Sequence, residues 1–310
     1  MIGRTSGRAI AKAAYRLCFY SPHWRIGWRF VTADDVWDRH DLGGTPWQVL
    51  PNAAFRFFAD PFPVKWQGRT HLFFEDFDHR RGKAVISTVA FGPSGPDGDI
   101  VPVLEEPWHL SYPFMIEDDG ELWMIPESIA SRSVSIYRAN PFPYRWTKEA
   151  DLLCGVDASD ATVFRHDGRF WMFTTIADRT GSLSSSLHIF IAERLLGPWR
   201  EHPRNPVLTD LASARPAGNI IIRDGRLWRP VQDCRQAYGA ALGLAEIVRL
   251  DMHGYQQEVR TLLRPNSYWP GRRLHTLNRA GALECIDGSA LAFRHLDRWR
   301  ERLSWARVGG

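Results

Sequence analysis

Acidic side chains recur at fixed offsets from glycine turns along this chain. Asp60 and Asp160 stand eight residues before Gly68 and Gly168, and Glu75 and Glu127 stand seven residues after Gly68 and Gly120. The same offsets at the remaining turns give Tyr112 and Ala217 before, and Thr175, Gln232 and His295 after. Carboxyl groups that converge on one pocket push each other's pKa values apart. A pair split in this way can protonate a leaving oxygen with one member and activate a nucleophile with the other, as chemistry at a sugar's glycosidic bond requires. Asp60 lies in the apolar run Phe57–Phe62, where an acid is costly unless it is paired, hydrogen-bonded or facing water. For Asp60 alone, a cap on the turn before Pro61 is the plainer account. Recurrence in register favours a shared pocket.

Other side chains add to this set. Arg215, in Ala214–Gly218, is suited to clamping a phosphate or carboxylate. His275 is a candidate acid, base, ion ligand or hydroxyl partner. Gln232 and Asp233 follow the fourth hairpin, and Trp108, Tyr112 and Trp269 are aromatics that could stack on a sugar face. A structural hydrogen bond is an equal alternative for Arg215, Asp233 and His275. With 14 tryptophans in the chain, most must be structural.

The element that positions these residues is a repeat. The segments 63–75, 113–127, 161–175 and 219–232 each read as an apolar strand, a turn ending in Gly, and a second apolar strand. A weaker fifth copy covers 283–295 with its turn at Asp287-Gly288. Asp-Gly or Gln-Gly between apolar runs marks a tight hairpin, because glycine accepts the positive φ such turns need. The turns recur about every 50 residues with strands between them, which is the period of propeller blades. A sandwich of hairpins is the alternative. The equivalent Trp123, Trp171 and Trp228, three residues after their turns, argue against it and are expected between blades. The predicted fold is therefore all-β: a five-bladed β-propeller over residues 31–310, preceded by a short basic helical arm over 1–30.

Composition narrows the function. The net charge of +4 is spread among acids, with no dense basic patch for nucleic acid. No window has the roughly 20 apolar residues of a membrane helix. Arg4, Arg8, Lys12 and Arg16 repeat every four residues, so a helical arm would line them up on one side, fit for an anionic membrane surface. Cys18, Cys154, Cys234 and Cys285 lack C-x-x-C spacing and, without a secretory signal, read as reduced, mostly buried thiols of a cytoplasmic protein. Glycine-rich phosphate loops, nucleophile elbows and HExxH are missing, and no strand–helix alternation suggests a Rossmann-type transferase.

Several motifs carry a family resemblance. Trp108–Phe114 followed by Met124–Ser128, Asn140–Trp146, Leu196–Trp199 with His202–Pro206, and Arg215-Pro216 with Gln232–Cys234 occur in an order that resembles the N-terminal domain of the glucosamine inositolphosphorylceramide transferases. The resemblance runs over roughly residues 24–290. It implies a five-bladed propeller akin to family 43 glycosidases and a place in glycolipid or surface-polysaccharide synthesis. By the same resemblance Asp60 corresponds to a catalytic base and Asp160 to the aspartate that tunes pKa. The glutamate acid expected next is replaced by the stretch Ala214–Gly218, which leaves Glu127 or Glu75 to supply the proton, Glu127 first. Arg215 and His275 are then expected as substrate clamps.

The resulting expectation is action on a glycosidic or sugar-phosphate bond, by transfer rather than simple hydrolysis. The alternative is a non-catalytic carbohydrate-binding module that positions a glycan for another enzyme. Expected partners are a sugar, glycan or nucleotide-sugar, an anionic membrane surface at the arm and a partner glycosyltransferase. No cofactor or metal is expected, an axial ion being left open. The expected location is cytoplasmic, at the inner face of the membrane.

Overall fold

The computed structural model describes residues 15–294, and it is a propeller of five antiparallel sheets. Blade one consists of strands Arg56–Trp66, Arg69–Asp78, Lys83–Gly92 and Gly95–Leu104. Blade two consists of Ser111–Asp118, Glu121–Glu127, Ser133–Ala139 and Trp146–Cys154. Blade three is built on Ala158–His166, Arg169–Ile176 and Ser186–Ala192, with two short outer strands. Blade four has Ile221–Arg223, Arg226–Asp233, Ala241–Asp251 and Gly254–Leu263. Among the described residues no helix is long and apolar enough to cross a membrane.

Four of the five predicted hairpin turns stand where the sequence places them. Gln67-Gly68, Asp119-Gly120, Asp167-Gly168 and Asp224-Gly225 have positive φ at both residues, the signature of a two-residue hairpin whose twist matches its strands. The fifth does not. Asp287 and Gly288 lie inside the strand Leu283–Ser289, and the turn falls at Gly281, φ +59°. The turn between Ala280 and Leu283 carries no Asp-Gly pair to mark it, and the offset leading to His295 fails with it. His295 itself lies outside the described residues.

The fifth blade also corrects the arm boundary. Trp24–Phe30, read from sequence as arm, is a full strand paired with Leu283–Ser289 from Trp24↔Ser289 to Phe30↔Leu283. The blade is thus sewn from both ends of the chain, which closes the ring. Its strand reads Trp-Arg-Ile-Gly-Trp-Arg-Phe, an alternation proper to a strand. Of the four basic arm residues, Arg4, Arg8 and Lys12 lie outside the described residues, and Arg16 is exposed. Cys234 and Cys285 are buried, but Cys18 and Cys154 are exposed, so half rather than most of the thiols are covered.

Packing between blades supplies the core. Phe62 and Phe73 of blade one, Phe114 and Ile125 of blade two, and Val163 and Met172 of blade three form one buried cluster. Runs such as Leu72-Phe73-Phe74 are wholly buried because each inner strand is covered on both faces. The loop after Phe30 locks the last two blades. It carries a short helix, Val36–Arg39, capped by Asp35. Asp35 receives Arg223 of blade four at 2.6 Å and also Arg279 of blade five. Burial pushes its carboxyl up, but Arg223, the Asp38 amide and Arg279 outweigh this and hold it at about 2.

A buried ion pair fixes the closing strand. Arg29 and Glu284 meet at 2.7 Å with no exposed side-chain surface, and Arg29 also donates to the Gly43 and Thr45 carbonyls. Removing one partner of such a pair strands a buried charge, at a cost of about 3–5 kcal/mol. Glu284→Ala is therefore expected to lower the unfolding free energy by that amount in a urea titration, whereas Arg81→Ala, in an exposed pair with Glu105, changes it by less than about 1 kcal/mol.

Candidate functional site

The first strands of blades one to three share a distortion. A register shift lies between Ala59 and Phe62, between Ser111 and Phe114, and between Ser159 and Thr162. At these bulges Asp60, Tyr112 and Asp160 adopt φ of +50°, +43° and +55°. Left-handed φ at a non-glycine residue costs on the order of 1–3 kcal/mol and persists where surrounding contacts fix it. Bulges re-aim side chains, and here they turn three equivalent residues towards the axis. In blade four the corresponding chain reads Ala217-Gly218, with φ +138° at Gly218. A Cβ there would lie 2.2 Å from the Leu277 carbonyl oxygen, so glycine is required.

The carboxyl groups form a buried cluster around two cations. Arg215 Nε lies 2.6 Å from Asp160 Oδ2, and its Nη2 lies 3.5 Å from Glu127 Oε2. Glu127 also accepts the Asp160 amide at 3.1 Å and the Ser111 hydroxyl at 3.2 Å. Gln232 donates its side-chain amide to Asp160 at 3.0 Å and to the Pro216 carbonyl. On the other side, His275 Nδ1 is 2.6 Å from Asp287 Oδ2 and 3.9 Å from Asp60 Oδ1. Asp60 accepts the Thr276 hydroxyl at 2.8 Å and the Tyr112 amide at 3.2 Å, and its own amide donates to Asp287. Asp60, His275 and Asp287 offer ligand atoms all within 4.8 Å of one another, a set able to take a cation.

Burial and charge divide the protons. Burial lifts Asp60 to about 6, with Asp287 and Glu127 adding to the rise and His275 and Thr276 opposing it. Burial likewise lifts Asp160, against Arg215 and with Glu127, to which it is hydrogen-bonded. For Glu127 burial is outweighed by Arg215, Asp160 and Ser159, and its carboxyl is lowered. Two carboxyls around one guanidinium titrate as a coupled pair rather than independently. Glu75 is pushed far up by burial and then by Asp60, Glu127 and Asp287. Its neighbour is His109, 3.4 Å away, which burial shifts towards its neutral form.

The sequence-selected residues distribute as follows. Asp60, Glu75, Glu127, Asp160, Arg215, Gln232 and His275 come together at the axis. Tyr112 does so as well, but not as a stacking surface: it is wholly buried, and its hydroxyl meets Thr162 at 2.8 Å and accepts the Gly218 amide at 2.8 Å. Asp233 is turned to Arg235 at 2.8 Å and towards Arg264. Trp108 packs half-buried against the core of blades one to three, and Trp269 is buried between Gly27 and Gly288. For Glu127, expected as the acid, Arg215 and the hydrogen bonds it accepts favour the ionised form.

Sequence reasoning missed Asp287, Thr276, Trp24, Tyr238 and His109. Trp24 stacks on His275 at 4.0 Å. Tyr238, 38% exposed, lies beneath the Arg215 guanidinium at 4.9 Å and edge-on to His275. Asp287 was hidden by being read as a turn and Trp24 by being read as arm. His109 was signalled by its place in the Trp108–Phe114 motif. The side chains of Glu75 and Glu127, each 9% exposed, and Arg215, 8% exposed, keep a little surface, and Tyr238 and His109 beside them are more exposed.

Comparison with known proteins gives concordant relatives. Residues 50–285 match the family described as glucosamine inositolphosphorylceramide transferase 1, N-terminal. The chain is 31% identical over 251 residues to glucosamine inositolphosphorylceramide transferase 1 of Oryza sativa subsp. japonica, covering 78% of this chain and 33% of that protein. Against the Arabidopsis thaliana protein of that name it is 30% identical over 271 residues, covering 79% and 34%. The chain thus spans about a third of the length of these relatives. Among solved structures, it resembles a family 117 glycoside hydrolase of Zobellia galactanivorans with TM-score 0.54 at 13% identity, over 84% of this chain and 80% of that one. It also resembles an exo-beta-1,3-galactanase of Phanerochaete chrysosporium with TM-score 0.54 at 13% identity, over 71% and 55%. These structural likenesses concern the fold.

The raised pKa of Asp60 has a consequence for stability. Because the folded state binds this proton more tightly than the unfolded chain, Asp60 stabilises fully below its ordinary 3.8, and that contribution is lost as pH rises through about 6. The stability of the native protein relative to Asp60→Asn is therefore expected to fall between about pH 4 and 6, by about 3 kcal/mol. Denaturant titrations across that range, with a flat difference as the contrary outcome, test it.

Proposed function

Since the chain belongs to the glucosamine inositolphosphorylceramide transferase N-terminal family, we propose that it is a carbohydrate-active propeller whose axial pit receives a sugar during glycolipid or surface-polysaccharide assembly. The proposed chemistry is glycosyl transfer rather than hydrolysis. One observation carries this reading: Arg215 stands where a glycosidase acid was expected, and it holds Glu127 as an anion beside Asp160. The proton available to a ligand then sits on Glu75, which has no cation beside it. Asp60, ionised above about pH 6, is the matching acceptor for a proton from an incoming hydroxyl. Glu127, Arg215 and Tyr238 offer an acceptor, a donor and an aromatic face, the set by which proteins hold neutral polyhydroxylated ligands. Action at the cytoplasmic face of a membrane, beside a partner glycosyltransferase, belongs to the same proposal.

A second reading has its own support. Both oxygens of Asp60 already accept hydrogen bonds, as expected of a pit that binds a sugar for another enzyme without reacting. A glycan microarray followed by calorimetry with the bound glycan identifies the ligand. Turnover of that glycan with nucleotide-sugar donors then separates the readings. Glu75→Gln is expected to lower turnover by about 10²–10⁴-fold while affinity stays within a few-fold. Retained turnover in Glu75→Gln removes its acid role, binding without turnover selects the module, and a blank array sinks both.

A further inference from the structure

A second concavity adjoins the pit and is not used by it. It encloses about 600 Å³, within the range of small-molecule sites. Tyr15, Tyr20 and Trp24 give it aromatic walls, and Arg25, Arg272 and Arg273 give it charge. No aspartate or glutamate lines it. His23 is in the wall, but burial and then His79 lower its pKa to about 4, so it is neutral at pH 7. The cavity is therefore purely cationic among the described residues.

Its three arginines stand together without a carboxylate in the cavity wall. Arg29, Arg56, Arg215 and Arg223 each meet an acid. None of Arg25, Arg272 and Arg273 has an ion pair among the described residues. Arg25 is half-buried, its guanidinium lies over the Trp269 ring at 4.2 Å, and its Nε is buried without a hydrogen-bond partner. An unsatisfied buried donor on a cation costs free energy that an anion would recover. Arg273 lies over the Trp24 ring at 6.0 Å, and Trp24 in turn stacks on His275 of the acid cluster.

From these features we infer that the cavity is a phosphate-binding site, taking a mono- or diphosphate group through Arg25, Arg272 and Arg273. Guanidinium forks match the several oxygens of phosphate better than a single carboxylate does. The lining adds an apolar edge, Leu291, which is 69% exposed, so the phosphate could come from a free sugar phosphate or from a lipid headgroup. The inference stands apart from the sugar reading: phosphate binding here does not require a sugar in the pit.

Calorimetry of the full chain with sodium pyrophosphate at low ionic strength is the test. Saturable one-to-one binding is expected, weakened at least tenfold in Arg272→Ala/Arg273→Ala. The control Arg81→Ala/Arg132→Ala, which removes the same charge from exposed pairs with Glu105 and Asp157, should bind as the native chain does. Arg272→Glu, at an exposed position, repeats the comparison without disturbing packing. A parallel sedimentation assay uses phosphatidylcholine vesicles with and without phosphatidic acid. Capture by phosphatidic acid that free pyrophosphate inhibits assigns the cavity to a lipid headgroup, and pyrophosphate binding without vesicle capture assigns it to a soluble phosphate. No saturable pyrophosphate binding, equal loss in the control pair, or vesicle capture that pyrophosphate does not inhibit overturns the site.

Discussion

The axis of this propeller is governed by a shortage of positive charge. Five carboxyl groups meet there, and two cations serve four of them. Arg215 stands between Asp160 and Glu127, and His275 stands between Asp287 and Asp60. Each cation is closer to one acid than to the other, at 2.6 Å against 3.5 Å and at 2.6 Å against 3.9 Å. In a buried setting two acids that share one basic partner titrate together rather than independently. Glu75 belongs to neither group of three. Its one charged-type neighbour, His109, is itself driven neutral by burial, so nothing offsets the cost of ionising Glu75. Glu75 is thus the carboxyl of the cluster whose pKa burial raises without a cation to oppose it.

Holding such a cluster requires a rigid frame, and Tyr112 supplies much of it. Its amide binds Asp60 of blade one, while its hydroxyl joins Thr162 of blade three and Gly218 before blade four. One residue from blade two therefore links three other parts of the ring, one through its amide and two through its hydroxyl. This cross-linking explains how left-handed backbone at Asp60, Tyr112 and Asp160 is sustained: each bulge is held by hydrogen bonds from neighbouring blades. Gly218 completes the frame, because its amide could not approach Tyr112 with a Cβ pressed against Leu277.

Much of this was legible in the sequence because the repeat has a constant internal geometry. A two-residue turn fixes register, so equal offsets from Gly68, Gly120 and Gly168 select equivalent positions, and Asp60, Tyr112 and Asp160 proved to share even their backbone conformation. The method failed where its marker was misread. At Asp287-Gly288 a strand interior imitated a turn, which displaced the fifth blade and concealed the partner of His275. It also failed where the fold is not local. Trp24 reaches the cluster only because the ring closes between the two ends of the chain, and no spacing rule relates residues 24 and 275. Offsets likewise locate a residue on the axis without saying whether it faces a ligand or a neighbouring blade, so Tyr112, expected to stack on a sugar, is wholly buried between blades.

The position of the proton donor bears on the kind of reaction. In a glycosidase the acid and its counterpart stand across the sugar from each other. Here Glu75 pairs in register with Ala59, the residue before Asp60, so donor and acceptor project from neighbouring strands of one blade. Groups on one side of a sugar suit holding a hydroxyl and exchanging its proton, while displacement at the anomeric carbon demands groups on opposite sides. Under the proposed function, Glu75 and Asp60 are therefore placed to hold an acceptor hydroxyl from one side and to exchange its proton.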